Sequence, residues 1–399
     1  MIDIHNRKRQ LERCLERLEK PPISHNNALI LKFKDDCCAE GLSEGRIVRC
    51  IDHLTRLSEF LGKDFDEANK EDIKKLVSKV ETAKSRSGNK ELSVHTKHAI
   101  KIVLKKFYKW LKGTDEYPEE VKWFKCNIKN NNHKIPSDML TEEDIKALIN
   151  AALNPRDKAF ISTLYESGCR ISELMNLRIK DIKFDDIGAQ IYVTGKTGFR
   201  RVRLVSSVPY LQEWLNRHQQ KDNLDSFVWI KNDGAMLGYN RVRYMLQDIK
   251  KRSGIKKEVH PHNFRHSRAT YLANFLTEAQ MKEFFGWTQS SDMAAVYVHI
   301  SGRDVDNALL KTYGIKKEEK KQESTLIPQR CARCEQTNEA TNKFCKRCGL
   351  PLDEETKRTI IKEEMDRKQA DQVMEELVKD KEILGLLLRK ITEKKLIAT

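Results

Sequence analysis

The sequence lacks a run of apolar residues long enough to span a bilayer, and its first residues lack the apolar core of a secretion signal. We therefore expect a cytoplasmic chain that makes no contact with a membrane. Disulfides are not expected either, because the cytoplasm is reducing. Six of the 10 cysteines are scattered along the chain and are expected to be free thiols: Cys14, Cys37, Cys38, Cys50, Cys126 and Cys169.

Acidic residues are too few to balance the basic ones. The 399 residues include 75 Lys+Arg and 59 Asp+Glu, which gives a formal net charge of +16. This excess favours a polyanionic partner, although a lysine-rich solvated surface would give the same charge. The length allows two or three domains, each with a hydrophobic core.

The first third of the chain divides into three segments. Residues 1–22 predict a short basic helix that ends at Pro21–Pro22. Residues 24–113 predict a helical domain, because apolar residues recur at helical spacing while lysines occupy the opposite faces. Such a basic face fits either solvation or binding of a polyanion. Residues 114–137 contain prolines and a run of asparagines, which predicts a polar linker.

Five short patches in residues 138–312 carry side chains suited to binding a phosphate. They supply many hydrogen-bond donors and almost no acceptor, and two arginines can each form paired bonds with phosphate oxygens. A carboxylate would suit the set less well, because one guanidinium saturates it. The residues are Arg170, Lys196 in Gly-Lys-Thr-Gly, His262 and Arg265 in His-Asn-Phe-Arg, Trp287 in Phe-Gly-Trp, and Tyr297 in Val-Tyr-Val-His.

Tyr297 is the candidate nucleophile of this set. The ordinary pKa of tyrosine is about 10, so it needs a base or nearby positive charge to attack at neutral pH. Attack on a phosphodiester would form a phosphotyrosyl enzyme and keep the bond energy, so no cofactor is expected for catalysis. Arg170 and Arg265 would hold the non-bridging oxygens, Lys196 would protonate the leaving oxygen, and His262 would accept or relay the tyrosine proton.

Trp287 and Glu173 complete the predicted site. An indole donates a hydrogen bond but cannot shuttle a proton, so Trp287 is expected to contact the oxyanion and to pack. Glu173 lies one helical turn after Arg170 and is expected to orient its guanidinium. Each residue taken alone is more often an ordinary surface or core residue. Their order and local contexts together indicate a site.

These patches, in this order, resemble those of phage-integrase-type tyrosine recombinases over roughly residues 26–312. Members of that family carry either histidine or tryptophan at the position of Trp287. The resemblance implies a mainly α-helical fold with a small β-hairpin: a helical, SAM-like core-binding domain and a mixed α/β catalytic domain. It further implies a clamp on double-stranded DNA, a 3′-phosphotyrosyl intermediate, and a tetramer on two duplexes. The sequence does not decide whether Tyr297 acts in the active site of its own chain or in that of a neighbouring chain.

Several functions fit the resemblance. Integration and excision of a mobile element is the favoured role, and Xer-like resolution of chromosome or plasmid multimers is the alternative. A type IB topoisomerase uses similar residues, but the two-domain layout argues against it. A non-catalytic, architectural DNA-binding protein is the alternative from another class, although every position of the site is filled.

Local patterns place two of the site residues. Alternating segments on both sides of residues 195–198 predict a β-hairpin with Lys196 near its tip. Tyr297 is predicted on a short helix that begins near Ser291. Three arginines beside the hairpin tip either contact phosphates or face solvent: Arg200, Arg201 and Arg203.

The tail is predicted to contain a charged linker at residues 313–329, a zinc ribbon at 330–352 and a helix at 353–399. The ribbon follows from the spacing Cys331-x2-Cys334-x10-Cys345-x2-Cys348, whose four thiolates can close a tetrahedral shell around a structural zinc ion. Paired disulfides or a redox dithiol are disfavoured by the spacing and the compartment.

The predicted C-terminal helix is long and charged, with an approximate apolar stripe that only Gly385 weakens. This stripe favours self-association, and docking on the chain's own body is the alternative.

Overall fold

The computed structural model describes residues 2–85, 88, 90–127, 138–195, 197–300, 313 and 324–393, with only the backbone at 299, 300 and 391–393. The chain divides into two units, Ile2–Lys134 and Ile135–Thr399. None of the helices in these ranges is both long enough and apolar enough to cross a membrane.

The N-terminal unit is a helical bundle around a single hydrophobic core. Ile30, Leu54, Ile73 and Phe107 come from four different helices and are all fully buried. The ring of Phe107 also meets that of Phe33 edge-on, with centroids 5.3 Å apart. The helices are α1 (Arg7–Leu18), α2 (His25–Ala39), α3 (Glu44–Leu61), α4 (Lys70–Thr82), α5 (Val94–Leu111) and α6 (Glu119–Lys122).

Local capping residues set the ends of these helices. Ser93 accepts a hydrogen bond from the backbone N–H of Thr96 at the start of α5. Gly62 ends α3 in the left-handed region, with φ 73°.

The linker prediction was wrong for residues 119–124. This segment forms α6, and Val121 and Phe124 are buried in the core of the N-terminal unit. The Lys105 ammonium lies 4.8 Å from the ring centroid of Phe124, which fixes the segment further. Residues 128–137 of the predicted linker lie outside the described residues.

The C-terminal unit is built around a nearly wholly buried helix that ends just before Arg170. Phe160 and Leu164 of this helix are fully buried. The helices are α7 (Glu142–Ala151), α8 (Pro155–Ser167), which is the central one, α9 (Ile171–Met175), α10 (Val208–Asn216), α11 (Tyr239–Ser253), α12 (Pro261–Leu272), α13 (Glu278–Phe285) and α14 (Met293–Ile300).

The turns around α8 and α13 bring the site residues together. Gly168 ends α8 with φ 54°, and a Cβ there would lie 2.5 Å from the Phe285 ring, so only glycine fits. Capping boxes are present at Thr141 with Asp144 and at Thr277 with Gln280.

A three-stranded antiparallel sheet supplies the predicted hairpin. Its strands, in spatial order, are β1 (Ile182–Asp185), β2 (Gly188–Gly195) and β3 (Gly198–Leu204). Gly195 pairs with Gly198, which confirms the hairpin. Lys196 itself lies outside the described residues.

The tail forms a small two-stranded sheet, β4 (Gln329–Arg330) with β5 (Thr337–Asn338), followed by α15 (Glu354–Lys379) and α16 (Lys381–Glu393). The prediction of one continuous helix was wrong. The break lies at Asp380, whose carboxylate accepts the backbone N–H of Glu382 at 2.9 Å and so starts α16, rather than at Gly385. Of the apolar stripe, Ile361, Met365 and Leu388 are exposed.

Candidate active site and metal centre

A buried carboxylate holds two arginines at the start of α9. Glu173 Oε1 accepts a hydrogen bond from Arg170 Nη1 at 2.9 Å, and Oε2 accepts one from Arg200 Nη2 at 2.7 Å. Burial acts to raise the pKa of Glu173, but hydrogen bonds and charge from Arg200 and then Arg170 outweigh it and hold the pKa below its usual value. Glu173 is therefore a carboxylate that fixes the guanidinium of Arg170.

Arg265, on α12, is the third guanidinium of this cluster and is almost fully buried. It donates to the backbone carbonyl oxygens of Gly168 at 2.8 Å and Phe285 at 2.6 Å. Burial, and then the positive charge of Arg170, lowers the pKa of Arg265 to about 10, with a further contribution from Arg200. Three guanidiniums and one carboxylate leave an excess of positive charge, which an incoming anion would relieve.

Of the two expectations for Arg200, solvent exposure was wrong, and phosphate contact stays a prediction. Its side chain is only 8% exposed, and Nε donates to the Phe284 carbonyl oxygen at 3.0 Å. The alternation of β3 contained the signal, because Arg200 shares a face with the buried Val202 and Leu204. Arg201, on the other face, is exposed.

The β2–β3 hairpin is fastened to this cluster at one carbonyl group. Thr197 Oγ1 donates to the Gly286 carbonyl oxygen at 2.8 Å, and Arg170 Nη2 donates to the same oxygen at 3.2 Å. Thr197 directly follows Lys196 in the chain. The backbone next to the predicted catalytic lysine is thus tied to Arg170.

Tyr297 lies on α14 of the same chain and is only 4% exposed. Its ring stacks on that of Trp287, with centroids 5.6 Å apart and planes 4° from parallel. Burial raises the pKa of Tyr297 to about 12, and the charge of Arg265 opposes that rise. Trp287 also lies under the Arg265 guanidinium at 5.5 Å, which accounts for the packing expected of it.

The histidine at the Tyr297 hydroxyl is His266, which the sequence analysis did not assign. The Tyr297 hydroxyl and His266 Nδ1 form a short hydrogen bond. His262, the predicted proton acceptor, is exposed and stacks on His266 with ring centroids 5.2 Å apart. The signal for His266 was its spacing of four residues from His262, which places both on one face of α12.

Four cysteine sulfurs in the tail lie within 4.8 Å of one another: those of Cys331, Cys334, Cys345 and Cys348. Sulfurs at the corners of a tetrahedron with bonds of about 2.3 Å would be about 3.8 Å apart, so the cluster has the size of a metal centre. The two cysteine turns share one geometry, because Glu335 and Gly349 both have positive φ. The backbone N–H of Glu335 donates to the Cys331 carbonyl oxygen, and that of Gly349 donates to the Cys345 carbonyl oxygen. The cluster could therefore hold a metal ion.

The cysteine module packs on the rest of the C-terminal unit. Thr341 Oγ1 lies 2.9 Å from the hydroxyl of the buried Tyr210 on α10. Before the module, the backbone N–H of Thr325 donates to Glu142 Oε2 at 2.6 Å, at the start of α7. Residues 314–323 of the predicted charged linker lie outside the described residues.

Several known proteins are similar to this chain. The model of the phage integrase family matches residues 138–303. Tyrosine recombinase XerC of Oceanobacillus iheyensis is 28% identical over 221 residues, which cover 53% of this chain and 72% of the relative. A tyrosine recombinase of Thermosipho africanus is 36% identical over 182 residues, which cover 45% of this chain and 62% of the relative.

The fold is similar to that of a solved XerH site-specific recombinase bound to a palindromic difH substrate in a post-cleavage complex. The TM-score is 0.54 and the identity 18%, over 77% of this chain and 94% of that one. Residues 138–303 form a domain of the phage integrase family, and the relatives similar to this chain are tyrosine recombinases. The match to the family model ends before the cysteine cluster.

Proposed function

We propose that this protein is a site-specific recombinase acting on double-stranded DNA. Tyr297 attacks a phosphodiester, forms a 3′-phosphotyrosyl link and releases a 5′-hydroxyl. A 5′-hydroxyl from a partner duplex then attacks that link and frees the tyrosine. The observation that carries the proposal is that Trp287 packs against both the buried Tyr297 and the Arg265 guanidinium, so the tyrosine lies beside a cluster whose excess positive charge matches a phosphate.

Each site residue has a defined task in this scheme. Arg170 and Arg265 bind the non-bridging oxygens, where loss of a single donor costs on the order of a hundredfold in rate. Lys196 protonates the leaving 5′ oxygen, and Trp287 packs under Arg265 and donates to the oxyanion. Glu173 keeps Arg170 oriented. None of these steps uses a metal or a nucleotide.

Recombination of two duplexes requires several copies of the chain, and we propose a tetramer that works in the cytoplasm. A lambda integrase with a similar fold was solved as a tetramer bound to a Holliday junction, with a TM-score of 0.50 and 13% identity. Integration and excision of a mobile element is the proposed role. Relatives named XerC, at 28% and 29% identity, favour Xer-like multimer resolution as the second candidate.

For the cysteine cluster we propose a structural zinc ion. Four thiolates close the coordination shell and leave no position for a substrate, so the ion would stabilise the ribbon rather than act in catalysis. This metal would be held by Cys331, Cys334, Cys345 and Cys348.

Covalent trapping tests the proposed reaction. DNA duplexes selected for binding by the protein would be prepared with a 5′-bridging phosphorothioate at each candidate position, whose sulfur leaves without needing a proton. A denaturant-resistant protein–DNA adduct is expected with the wild type and with Tyr244→Phe, because Tyr244 is 67% exposed. Tyr297→Phe should give none. Binding without any adduct would favour the architectural role, and an adduct with Tyr297→Phe would show that another residue attacks.

A further inference from the structure

Two arginines of the cysteine module have exposed side chains whose donors are available. Arg333 and Arg347 are exposed, and within the part of the chain that the structure describes neither side chain forms a hydrogen bond or an ion pair. Arg330 and Lys346, by contrast, each form an ion pair with a glutamate of the module. Two guanidiniums therefore face solvent with donors ready for an acceptor from outside the chain.

The two arginines occupy equivalent positions in the two cysteine turns. Each directly precedes the second cysteine of its turn, and its backbone N–H donates a hydrogen bond to the sulfur of the first cysteine. The four sulfurs lie within 4.8 Å of one another. Both guanidiniums are therefore carried by one compact frame.

This frame is fixed to the rest of the C-terminal unit. Lys346 Nζ lies 3.4 Å from Glu213 Oε2 on α10, in addition to the hydroxyl contact described above. Asn342 of the module and Asn154 at the start of α8 line the same cavity. The module thus lies beside the start of α8, whereas Arg170 follows its end. A helix of 13 residues is about 20 Å long, which separates the module from the predicted phosphate site.

The chemistry of the two side chains fits a nucleic acid backbone. A guanidinium presents its donors as a planar fork that matches the oxygens of a phosphate. Two such forks on one frame suit neighbouring phosphates of a duplex, and DNA is already the proposed substrate. A distance of about 20 Å corresponds to about six base pairs, so the module meets phosphates other than those at the cleaved bond.

We propose that Arg333 and Arg347 form a second DNA-binding surface, which contacts backbone phosphates in the DNA that flanks the cleavage site. The inference rests on the proposed action on double-stranded DNA. Phosphate contacts carry no sequence information, so this surface raises affinity for any flanking sequence and holds the duplex in position. The cysteine module is then an accessory DNA-binding element of the recombinase.

Duplex length and salt dependence test this surface. The wild type and the double variant Arg333→Gln/Arg347→Gln would be compared on the shortest form of a selected duplex that still binds. The same duplex, lengthened at both ends by two helical turns (about 20 base pairs) of unrelated sequence, gives the second comparison. Each phosphate contact adds about one to the slope of log affinity against log salt concentration. The double variant should therefore lower this slope by about two on the long duplex and leave it unchanged on the short one.

The matched control is Arg358→Gln/Arg367→Gln, which removes the same charge from exposed positions on α15. Its salt slope should equal that of the wild type on both duplexes. An equal loss of slope in this control would show an effect of net charge alone and would overturn the inference.

The zinc content of both double variants should equal that of the wild type. This measurement is needed because a zinc ion with four thiolates has a net negative charge that arginines can balance. Loss of zinc together with loss of affinity would assign Arg333 and Arg347 to the metal centre and overturn the inference. A slope on the long duplex that does not change in Arg333→Gln/Arg347→Gln would also overturn it, and would leave the surface to a partner other than DNA.

Adduct formation on the short duplex separates this inference from the proposed reaction. The rate should be the same in the wild type and in Arg333→Gln/Arg347→Gln, because the short duplex does not reach the module. If the wild type formed no adduct on any duplex, the proposed reaction would fall. The salt slopes on the two duplexes would still decide whether the module binds DNA.

Discussion

Glu173 and Arg200 form a buried ion pair, 2.7 Å between Oε2 and Nη2, with side-chain exposures of 0% and 8%. It joins β3 to α9, and through Glu173 it reaches Arg170. The strand that follows Lys196 is therefore fixed to Arg170. Lys196 and Arg170 are both expected to act on the same phosphate. Preorganisation of this kind sets the distance between an acid and an oxyanion contact before the substrate binds.

Glu173→Gln should lower both stability and activity. Losing the charge between two guanidiniums should cost about 3 kcal/mol at pH 7. Since the folded pKa of Glu173 is lowered, its contribution is present above the unfolded pKa of about 4.3 and is lost as pH falls through the folded value. Urea denaturation of the wild type and the variant should show a stability difference that shrinks towards acid pH. A difference that stays constant with pH would contradict the ionised state.

Arg200→Lys should slow adduct formation by about tenfold to a hundredfold, because an ammonium cannot bridge the Phe284 carbonyl and Glu173 together. The matched control is Arg201→Lys, the next residue on the exposed face of β3. DNA affinity should change little in either variant. Equal rate losses at both positions would mean that Arg200 and Arg201 both act by contacting DNA phosphates instead.

Gly195→Ala should disturb the site through one added methyl group. A Cβ at this position would lie 2.2 Å from Glu173 Oε1, so the carboxylate would have to leave its two arginines. Adduct formation should fall by about tenfold or more. Gly238→Ala is the control, because a Cβ there meets no atom within 4 Å. Wild-type rates in Gly195→Ala would show that Glu173 can adjust freely.

Cys334→Ser should abolish metal binding while leaving cleavage measurable. Three thiolates hold a metal ion less tightly than four, so the ribbon should unfold and become sensitive to protease between residues 324 and 352. Elemental analysis should find about one zinc per wild-type chain and none in the variant. Cys38→Ser, which changes an exposed free cysteine, should keep the metal. A normal metal content in Cys334→Ser would rule out the proposed centre.

Much of the fold could be predicted because its signals are local. Three helices begin where a capping side chain bonds a residue three positions later, at Ser93, Thr141 and Thr277. The C-terminal ends of α3 and α8 each depend on a single glycine. The site residues were found because each stands in a short motif, and Glu173 because it is one turn from Arg170. Their catalytic roles remain predictions.

The misses came from contacts between distant parts of the chain. The alternation of β3 places Arg200 on the buried face, but its partners Phe284 and Glu173 lie far from it in the chain and could not be predicted from local spacing. His266 meets the tyrosine because α14 folds back on α12. Residues 119–124 are too few to show a helical period, so burial of Val121 and Phe124 could not be read from spacing.

The parallel stack of Trp287 on Tyr297 gives this protein a built-in optical reporter. An indole changes its fluorescence when an aromatic neighbour and its hydroxyl move away, so departure of the tyrosine toward DNA should alter the emission of Trp287. The four other tryptophans are a background that substitution of Trp287 would identify. Stopped-flow fluorescence could then follow the nucleophile as it leaves its resting place, without a dye and before any bond to DNA is made.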